Sequence, residues 1–442
     1  MMRVRIALPP GSAQGLTIAA MLTGIRVLDL GEEAGFLAGK ILADLGADVV
    51  KVEPPGGGGG GRGGAPHPAG APRGGAGPGR RGPYLGDVED PERSLLWLAL
   101  NSGKRGITLD LGAERGRDLY RALAQRADVI LETAAPGSLE ASGIDYASLV
   151  ALHPRLIQCA LTPFGRTGPY ACYRAHDLVA VAMGGNAALT GDPERPPVRC
   201  TLPTAYFHAG PEAALGITMA LFAREKTGRG QFVDVSVREA QLATLMTGPG
   251  QHAAPGGRRG RSGSRLGRTR EIWKAKDGDV TFGLRGGQAR IPNLVATVEY
   301  MAEEGMAPDW LRRYDWKSYN HNTLADDEIE RLETAFAAFF ATRSRRELYE
   351  QALERRIMMA PCNDAREILD QPQLRSRHLF TTIEYPEFGA SVEHPDFFAK
   401  SDTHRIGIRR RAPRIGEHNA EIFGEIGVGR AALASLARDG VV

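Results

Sequence analysis

The stretch that decides the fold is residues 155–241, which read RLIQCALTPFGRTGPYACYRAHDLVAVAMGGNAALTGDPERPPVRCTLPTAYFHAGPEAALGITMALFAREKTGRGQFVDVSVREAQ. Apolar runs at Leu156–Leu161 and Gln231–Ser236 have the length and composition of buried strands. A Pro/Gly-rich turn at 163–169 follows the first run, a helix opens near Asp177, and a long helical pattern leads into the second run. Loops at strand ends are where α/β folds place ligand sites.

The sequence upstream predicts another pair of strands joined by a helix. Apolar runs at Ile25–Leu30 and Asp48–Glu53 flank a helical pattern over Ala34–Leu45. We therefore expect parallel strands joined by a right-handed crossover. The loop Gly31–Gly35 carries two glutamates and lacks GxGxxG spacing, which excludes a dinucleotide-binding turn there.

Several motifs together identify a family resemblance. They are FGRTGPY at Phe164–Tyr170, KTGRGQ at Lys226–Gln231, VDVS at Val233–Ser236 and RAPRIGEHN at Arg411–Asn419. In this order and spacing they resemble the class III CoA-transferases, a family that includes the α-methylacyl-CoA racemases. The resemblance extends upstream to Gly24.

The resemblance implies an α/β fold with a Rossmann-like parallel sheet in a large domain and a smaller α+β domain. It also implies a ring-shaped chain that forms an interlocked dimer. The expected boundaries are a leader at 1–23, a large domain at 24–240 and 405–442, a linker at 241–270, and a small domain with its return linker at 271–404.

Composition limits the partners and the compartment. The chain has 442 residues and a formal net charge of +3, which argues neither for nucleic acid nor for a membrane surface, and no apolar run reaches the ~20 residues of a membrane span. The cysteines have no metal-ligand or CxxC spacing, so buried thiols in a reducing cytoplasm and no metal site are expected; they are Cys159, Cys172, Cys200 and Cys362.

The composition of two segments rich in glycine and arginine predicts that these segments are mobile. The first, Gly56–Gly82, begins with six consecutive glycines, which supply almost no apolar surface to offset backbone entropy. The second, at 247–270, is basic but lacks the interleaved aromatic residues that stack on bases. A flexible linker is favoured there over a nucleic-acid tail.

The resemblance assigns residues to a CoA pocket. The run from Asn101 to Asp110 matches the family's Asn-x-x-Lys-Arg-x-Ile-x-Leu-Asp pattern, and its adjacent cations Lys104 and Arg105 suit phosphate groups. A solvated basic turn is the alternative. Further CoA contacts implied by the resemblance are Leu109, Arg174, Ala175 and His176.

One side of that pocket departs from the family pattern. Where the family has Glu-Asn-aromatic-Arg-Pro-Gly, this chain has ETAAPG from Glu132 to Gly137. Thr133 and Ala134 replace the Asn and the aromatic residue that commonly touch CoA, and Ala141 replaces a nearby arginine. We therefore expect fewer CoA contacts than usual on this side.

The nucleophile position departs more seriously. Family members attack the acyl-CoA thioester with an aspartate ten residues before the glycine of a Leu-Gly-Ile run, which here is Leu215–Ile217. The counted position is Tyr206, whose phenol with its ordinary pKa of about 10 is protonated at neutral pH. Asp177 and Glu212 are the nearby carboxylates that could substitute.

The racemase branch uses a histidine opposite that aspartate. Ala175-His176-Asp177 matches the family's Gly-His-Asp turn in its last two residues. Without the opposing carboxylate only one base remains, so a helix cap by Asp177 is favoured over catalysis by His176.

The favoured function is therefore a family member that acts on CoA thioesters and carboxylic acids as the catalytically degenerate subunit of a heteromer, beside a related chain that carries the aspartate. A homodimer is the alternative assembly. The alternative functions are a self-sufficient CoA-transferase with another carboxylate and an acyl-CoA racemase or isomerase that uses His176. No tightly bound cofactor is expected, since coenzyme A enters as substrate.

Overall fold

The computed structural model describes residues 20–57, 80–254 and 260–442. The expected leader at 1–23 and the glycine-rich loop at 56–82 therefore lie mostly outside the described residues. The described chain divides into a large unit, with 20–57, 80–184, 200–246 and 378–442, and a small unit, with 185–199, 247–254 and 260–377.

The large unit is built on a six-stranded parallel sheet with the strand order β3-β2-β1-β4-β5-β6. Its strands are β1 (Arg26–Asp29), β2 (Asp48–Glu53), β3 (Arg105–Thr108), β4 (Val129–Glu132), β5 (Ile157–Thr162) and β6 (Phe232–Ser236). The first five are almost wholly buried, as their apolar runs predict for a parallel sheet covered on both faces. The prediction of a Rossmann-like parallel sheet is confirmed.

Helices flank this sheet in the large unit. They are α1 (Phe36–Asp44), α2 (Leu95–Leu100), α3 (Glu114–Ala124), α4 (Ser138–Ala141), α5 (Tyr146–Val150), α6 (Asp177–Met183), α8 (Thr204–Thr227), α9 (Val237–Gln241), α17 (Asn419–Glu425) and α18 (Arg430–Arg438). The 24-residue α8 packs against α1. Gly210 permits this close approach, because a Cβ there would lie 2.9 Å from the Cβ of Leu37.

The C-terminal tail returns to the large unit and completes its core. Ile422 and Phe423 of α17 and Leu436 of α18 pack into the same apolar cluster as sheet residues such as Ile107. The backbone amide of Asp110 donates to the carbonyl of Val441 at 2.8 Å. The tail is therefore part of the core of the large unit.

An antiparallel hairpin also belongs to the large unit. Its strands are β12 (Phe380–Tyr385) and β13 (Ala390–Pro395), joined by a 3₁₀ turn at Pro386–Phe388. Ile383 and Tyr385 point inward and pack in a cluster with Phe36 and Trp97. The expected boundaries place this segment in the small domain and its return linker at 271–404, whereas the hairpin groups with the large unit from residue 378 onward.

The small unit has a three-stranded antiparallel sheet, β9 (Ile272–Ala275), β10 (Gly278–Phe282) and β11 (Met359–Pro361), and a two-stranded ribbon of β7 (Arg265–Leu266) and β8 (Thr269–Arg270). Its helices are α7 (Asn186–Leu189), α10 (Gly248–Ala253), α11 (Ile291–Glu303), α12 (Asp309–Arg312), α13 (Asp326–Phe340), α14 (Arg345–Arg355), α15 (Ala365–Asp370) and α16 (Pro372–Ser376). An aromatic core holds it together, with Trp273 edge-on to Phe340 at 5.6 Å between ring centroids.

Part of the expected linker at 241–270 forms regular structure. Its described residues include the 3₁₀ turn Leu242–Leu245, helix α10 and the ribbon of β7 and β8, while 255–259 lie outside the description. The guanidinium of Arg265 makes two bonds of 2.9 Å to the carboxylate of Glu333 on α13. The ribbon is therefore part of the small unit.

Candidate active site

The loops after β1 and β4 begin side by side at the carboxyl edge of the sheet, where the strand order reverses. In doubly wound sheets, ligands usually bind in a crevice at this edge. The amide of Glu32, in the β1 loop, donates to Oγ1 of Thr133 at 2.8 Å, just after β4. Gly31 and Gly35 make the loop tight, since a Cβ at Gly31 would lie 3.1 Å from the Cα of Gly35.

Tyr206 lies beside this crevice, as the third residue of α8. Burial and the nearby charge of Glu33 raise the pKa of its phenol to about 12. The backbone amide of Asp177 hydrogen-bonds the phenol oxygen, and Asp177 and Glu32 add further negative charge nearby. The phenol is therefore protonated at neutral pH and is a poor nucleophile.

Asp177 links the start of α6 to the start of α8. Its side chain is buried, and Oδ1 accepts a bond of 2.8 Å from the backbone amide of Ala205. His176 occupies the N-cap position of α6, makes no side-chain capping bond, and is exposed. The structure thus brings Asp177 and Tyr206 together, with Asp177 joining the starts of the two helices and His176 preceding it in the chain.

Glu212 does not join this group. It is exposed on α8, six residues after Tyr206. In an α-helix this separation is about 9 Å along the axis and about 240° around it. Its carboxylate therefore faces away from the site of Tyr206.

Two glutamates of the β1 loop were missed as site residues by the sequence reasoning. Burial raises the pKa of Glu32 to about 7, partly offset by the charge of Lys51. Glu33 accepts a bond of 2.7 Å from the guanidinium of Arg81. The only signal in the sequence was the position of two acids directly after a buried strand.

We call Tyr206, Glu32, Glu33, Arg81 and Asp177 the Tyr206 site. It combines three carboxyl groups and a protonated phenol with one guanidinium. One carboxyl group, Glu32, has a pKa near neutrality, as acids and bases of active sites commonly have. The site can hold and move protons, and it has Tyr206 where the resemblance predicts an aspartate.

Lys104 is not available for a CoA phosphate. Its side chain is fully buried, and its ammonium donates to Oδ2 of Asp29 at 2.7 Å, to Oδ1 of Asn101 at 2.8 Å and to the carbonyl of Phe36 at 3.0 Å. An ammonium has three N–H donors, and all three are used. The phosphate-binding interpretation of Lys104 does not fit this geometry.

We call Asp29, Lys51, Lys104 and Asn101 the buried ion cluster. Lys51 donates to the carbonyl of Asp29 at 3.1 Å and lies 3.4 Å from its carboxylate. Burial would raise the pKa of Asp29, but Lys104 and Lys51 outweigh it and hold the pKa below its ordinary value. Burial lowers the pKa of Lys104 to about 8 against the pull of Asp29.

Arg105 and Leu109 are also engaged within the large unit. The guanidinium of Arg105 bonds the carboxylates of Asp48, Glu421 at 2.6 Å and Glu425 at 3.1 Å, which ties α17 to the sheet. Leu109 is buried in the core. Arg174, in the other loop expected to contact CoA, is exposed.

The FGRTGPY turn fastens the ends of three strands. The amide of Arg166 donates to Oδ2 of Asp234 on β6 at 2.9 Å, and its guanidinium lies 3.4 Å from the carboxylate of Glu132 on β4. The turn itself follows β5. The turn therefore has a structural role at the carboxyl edge of the sheet, and this role explains why the family motif is present here.

The described residues show neither a metal centre nor a membrane-spanning helix. No group of three His, Cys, Asp or Glu side chains there has an arrangement that could hold a metal ion. No helix within 20–57, 80–254 and 260–442 is long and apolar enough to cross a bilayer. None of the four cysteines forms a disulfide, and Cys159 is buried as expected. The expectation of a buried thiol is wrong for the other three, Cys172, Cys200 and Cys362, which are exposed.

Comparison with known proteins identifies the family. The model of CoA-transferase family III matches residues 22–419. The chain belongs to CoA-transferase family III. Among its relatives, the succinyl-CoA:(R)-benzylsuccinate CoA-transferase subunit BbsE of Thauera aromatica is 33% identical over 420 residues, covering 94% of this chain and 97% of that protein.

Other relatives agree with this assignment. The formyl-CoA:oxalate CoA-transferase of Streptomyces coelicolor is 29% identical over 441 residues, which cover 96% of this chain and all of that protein. The crystal structure of a CAIB/BAIF family protein from Brucella suis superimposes with a TM-score of 0.76 and 27% identity, over 92% of this chain and 100% of that chain. The chain is thus a CoA-transferase family enzyme by homology over nearly its whole length.

Proposed function

We propose that this family III chain is the catalytically degenerate subunit of a heteromeric CoA-transferase, which transfers CoA from an acyl-CoA to a carboxylic acid. The partner is a related chain with an aspartate at the position of Tyr206. The observation that carries the proposal is the protonated phenol of Tyr206 at the start of α8, with a pKa of about 12.

The chemistry of the transfer explains why this tyrosine matters. A carboxylate that attacks a thioester carbonyl forms an acyl anhydride and expels the CoA thiolate. The thiolate then attacks the enzyme-side carbonyl of the anhydride, which breaks the C–O bond, releases the donor acid as a carboxylate and leaves an enzyme–CoA thioester. The acceptor carboxylate attacks this thioester and the same two steps run in reverse, so CoA leaves on the acceptor and the enzyme carboxylate is restored. A phenol must first lose its proton, and it would form an aryl ester instead of an anhydride. Tyr206 therefore cannot supply the covalent intermediates that this exchange requires.

A partner chain is supported by an apolar stripe on α8. Leu215, Met219 and Phe222 follow a spacing of three and four residues, so they share one face of the helix, and they are 53%, 62% and 67% exposed. Such a stripe is typical of a surface that another chain covers. The relative from Thauera aromatica is itself named as a subunit. We infer an interlocked arrangement of ring-shaped chains from the family resemblance.

CoA contacts in this chain are proposed for the loop with Arg174, Ala175 and His176. Arg174 and His176 are exposed there, next to the Tyr206 site, so a CoA phosphate or pantetheine can reach them. Cysteines that form no disulfide fit a reducing compartment, and a cytoplasmic location forms part of the proposal.

A second candidate is a self-sufficient transferase that uses another carboxylate. The position of Glu32 and Glu33 beside Tyr206 favours it, because these carboxyl groups lie in the same site as the missing aspartate. Asp177 is less suitable, since its carboxylate already holds the amide of Ala205. A racemase that uses His176 would need a second base opposite the histidine.

The test is acyl trapping. The purified chain is incubated with an acyl-CoA and then with hydroxylamine, which converts an activated carboxyl group into a hydroxamate that mass spectrometry locates. We expect no modified residue in this chain alone, and transfer activity only after an aspartate-bearing relative is added.

That relative alone is the control for the trapping chemistry. A hydroxamate on Glu32 or Glu33, together with steady transfer by this chain alone, would replace the subunit proposal with the second candidate. Activity of the relative that does not rise on addition of this chain would also contradict the heteromer.

A further inference from the structure

The small unit contains a cavity that the transfer chemistry does not use. It has a volume of about 410 Å³ and is lined by Glu271, Arg285, Gly286, Arg290 and His321. Pockets for small organic ligands are usually about 300–1,000 Å³. The cavity therefore has room for a small organic molecule.

The charge of the lining favours an anion. Two guanidinium groups, of Arg285 and Arg290, face one carboxylate, that of Glu271. Arg285 lies 3.5 Å from Glu271 and balances its charge. Arg290 makes no ion pair with any carboxylate among the residues that the structure describes, so the lining has one uncompensated positive charge.

Three polar atoms of the lining lack a hydrogen-bond partner. Nη1 of Arg290, Nδ1 of His321 and the acceptor Oε1 of Glu271 are buried and make no hydrogen bond among the described residues. Buried donors without an acceptor are rare in proteins, because their lost hydration is not replaced. An acceptor group in the cavity would satisfy the guanidinium.

The guanidinium of Arg290 is held in place. Its Nε donates to the carbonyl of Arg285 at 3.2 Å. Its Nη2 lies over Gly283, where a Cβ would come within 2.7 Å of it. A fixed guanidinium loses little conformational entropy when it binds a ligand.

Helix α11 adds to the positive potential. Its N-cap residue is Arg290, no side chain makes a capping bond there, and Pro292 in the first turn has no amide to donate. The N-terminus of this 13-residue helix attracts anions through the helix dipole. Guanidinium and helix end therefore act at the same place.

We propose that this cavity binds the carboxylate group of a small organic acid, with Arg290 as the principal donor and Arg285 as the second. A guanidinium matches the two oxygens of a carboxylate in one plane. Glu271 limits the charge that the site accepts, because it repels a second negative group. The proposal goes beyond the subunit role and does not depend on it.

The experiment measures ligand binding to the full chain by isothermal titration calorimetry. The probes are acetate, succinate, inorganic phosphate and uncharged succinamide. We expect the two carboxylates to bind, with affinity about tenfold or more weaker in Arg290→Gln and in Arg285→Gln. Glu271→Gln should bind succinate at least about threefold more tightly, since it removes a repelling charge without removing a guanidinium.

Two variants locate the binding. Arg346→Gln changes an exposed arginine of the same unit that pairs with Glu350, and it should leave affinity within about twofold of wild type. Tyr206→Phe should also leave it unchanged. No carboxylate binding to the wild type, equal binding of phosphate or succinamide, or loss of binding in Tyr206→Phe but not in Arg290→Gln would each overturn the proposal. Because Glu271→Gln is expected to gain affinity, misfolding of an arginine variant cannot imitate the full pattern.

Discussion

The buried ion cluster and the Tyr206 site both begin at the end of β1, yet they treat charge in opposite ways. In the cluster, the carboxylate of Asp29 lies 2.7 Å from Lys104 and 3.4 Å from Lys51, and every group is buried. At the Tyr206 site, Glu33 has a partner in the half-exposed Arg81, whereas burial leaves Glu32 with a pKa of about 7. Charged groups that are all paired with one another inside the protein, as in the buried ion cluster, favour a structural role. A carboxyl group that lacks a full set of partners, such as Glu32, favours a chemical role.

The largest effect should come from restoring an aspartate. Tyr206→Asp places a carboxylate where the family has its nucleophile, so the chain alone should become able to form an acyl anhydride. We expect transfer activity to rise by at least about 100-fold, a fraction of the roughly 10⁶-fold that a hydrolase loses with its nucleophile. The measurement is transfer from acyl-CoA to a carboxylic acid, with hydroxylamine trapping at position 206.

The double variant Tyr206→Asp with Glu33→Gln sharpens this result. Glu33 would repel the new aspartate and raise its pKa, so removing that charge should increase activity further. Tyr206→Asn has nearly the same size as the aspartate and is the matched control, which should remain inactive. Equal activity of the Asp and Asn variants would show that the position does not act as a nucleophile.

The second effect is on stability and tests the buried ion cluster. Asp29→Asn removes the only carboxylate of the cluster and leaves the ammonium groups of Lys104 and Lys51 buried without it. Breaking a buried ion pair in this way costs about 3–5 kcal/mol. Amide exchange of β1 and β2, measured by mass spectrometry, should show this loss in the free energy of opening.

Glu350→Gln provides the comparison for that loss. This glutamate pairs with Arg346 on the exposed face of α14, so its removal should change stability by less than about 1 kcal/mol. If Asp29→Asn were no more destabilising than Glu350→Gln, the cluster would not hold the large unit together.

The third prediction concerns pH and the Tyr206 site. The pKa of Glu32 rises from 4.5 to about 7 on folding, so the folded protein binds this proton more tightly than the unfolded chain. Glu32 therefore stabilises the fold fully below pH 4.5, and the contribution is lost as the pH rises to about 7. Glu32→Gln should raise the Tm relative to wild type by about 2–4 °C at pH 8 and by much less at pH 5.

Thermal unfolding at the two pH values, with Glu350→Gln as the control, checks this prediction. The control should show the same Tm difference from wild type at pH 5 and pH 8. A pH-independent effect of Glu32→Gln would mean that Glu32 does not titrate near neutrality in the folded protein.

Much of the large unit could be predicted from local pattern. The strands β5 and β6 and the start of α6 at Asp177 follow directly from apolar runs and turn residues, because burial on both faces of a parallel sheet leaves a clear apolar signal. The local sequence of the hairpin of β12 and β13 does not indicate which of the two units the hairpin packs against. It belongs to the large unit because Tyr385 packs against residues that are distant in the sequence.

The site was only partly predictable for a related reason. Tyr206 was found by counting from a motif, and its position beside His176 and Asp177 follows from neighbouring helix starts. The ion pairs of Lys104 with Asp29, 75 residues away, and of Arg105 with Glu421 cannot be seen in sequence, where adjacent cations resemble an exposed basic turn.

The smallest expected effect is on the affinity for CoA. It distinguishes Arg105 from Arg174, which the family resemblance assigns equally to the CoA pocket. The guanidinium of Arg105 already bonds Asp48, Glu421 and Glu425, so Arg105→Gln should change the Kd for CoA by less than about twofold, although it loosens α17. Arg174 is exposed in the loop proposed to contact CoA, and Arg174→Gln should weaken binding about threefold or more. Calorimetry with CoA at a temperature where circular dichroism shows both variants folded makes the comparison. A larger loss in Arg105→Gln than in Arg174→Gln would mean that Arg105 releases a carboxylate to bind a CoA phosphate, and the CoA pocket would then lie at the start of β3.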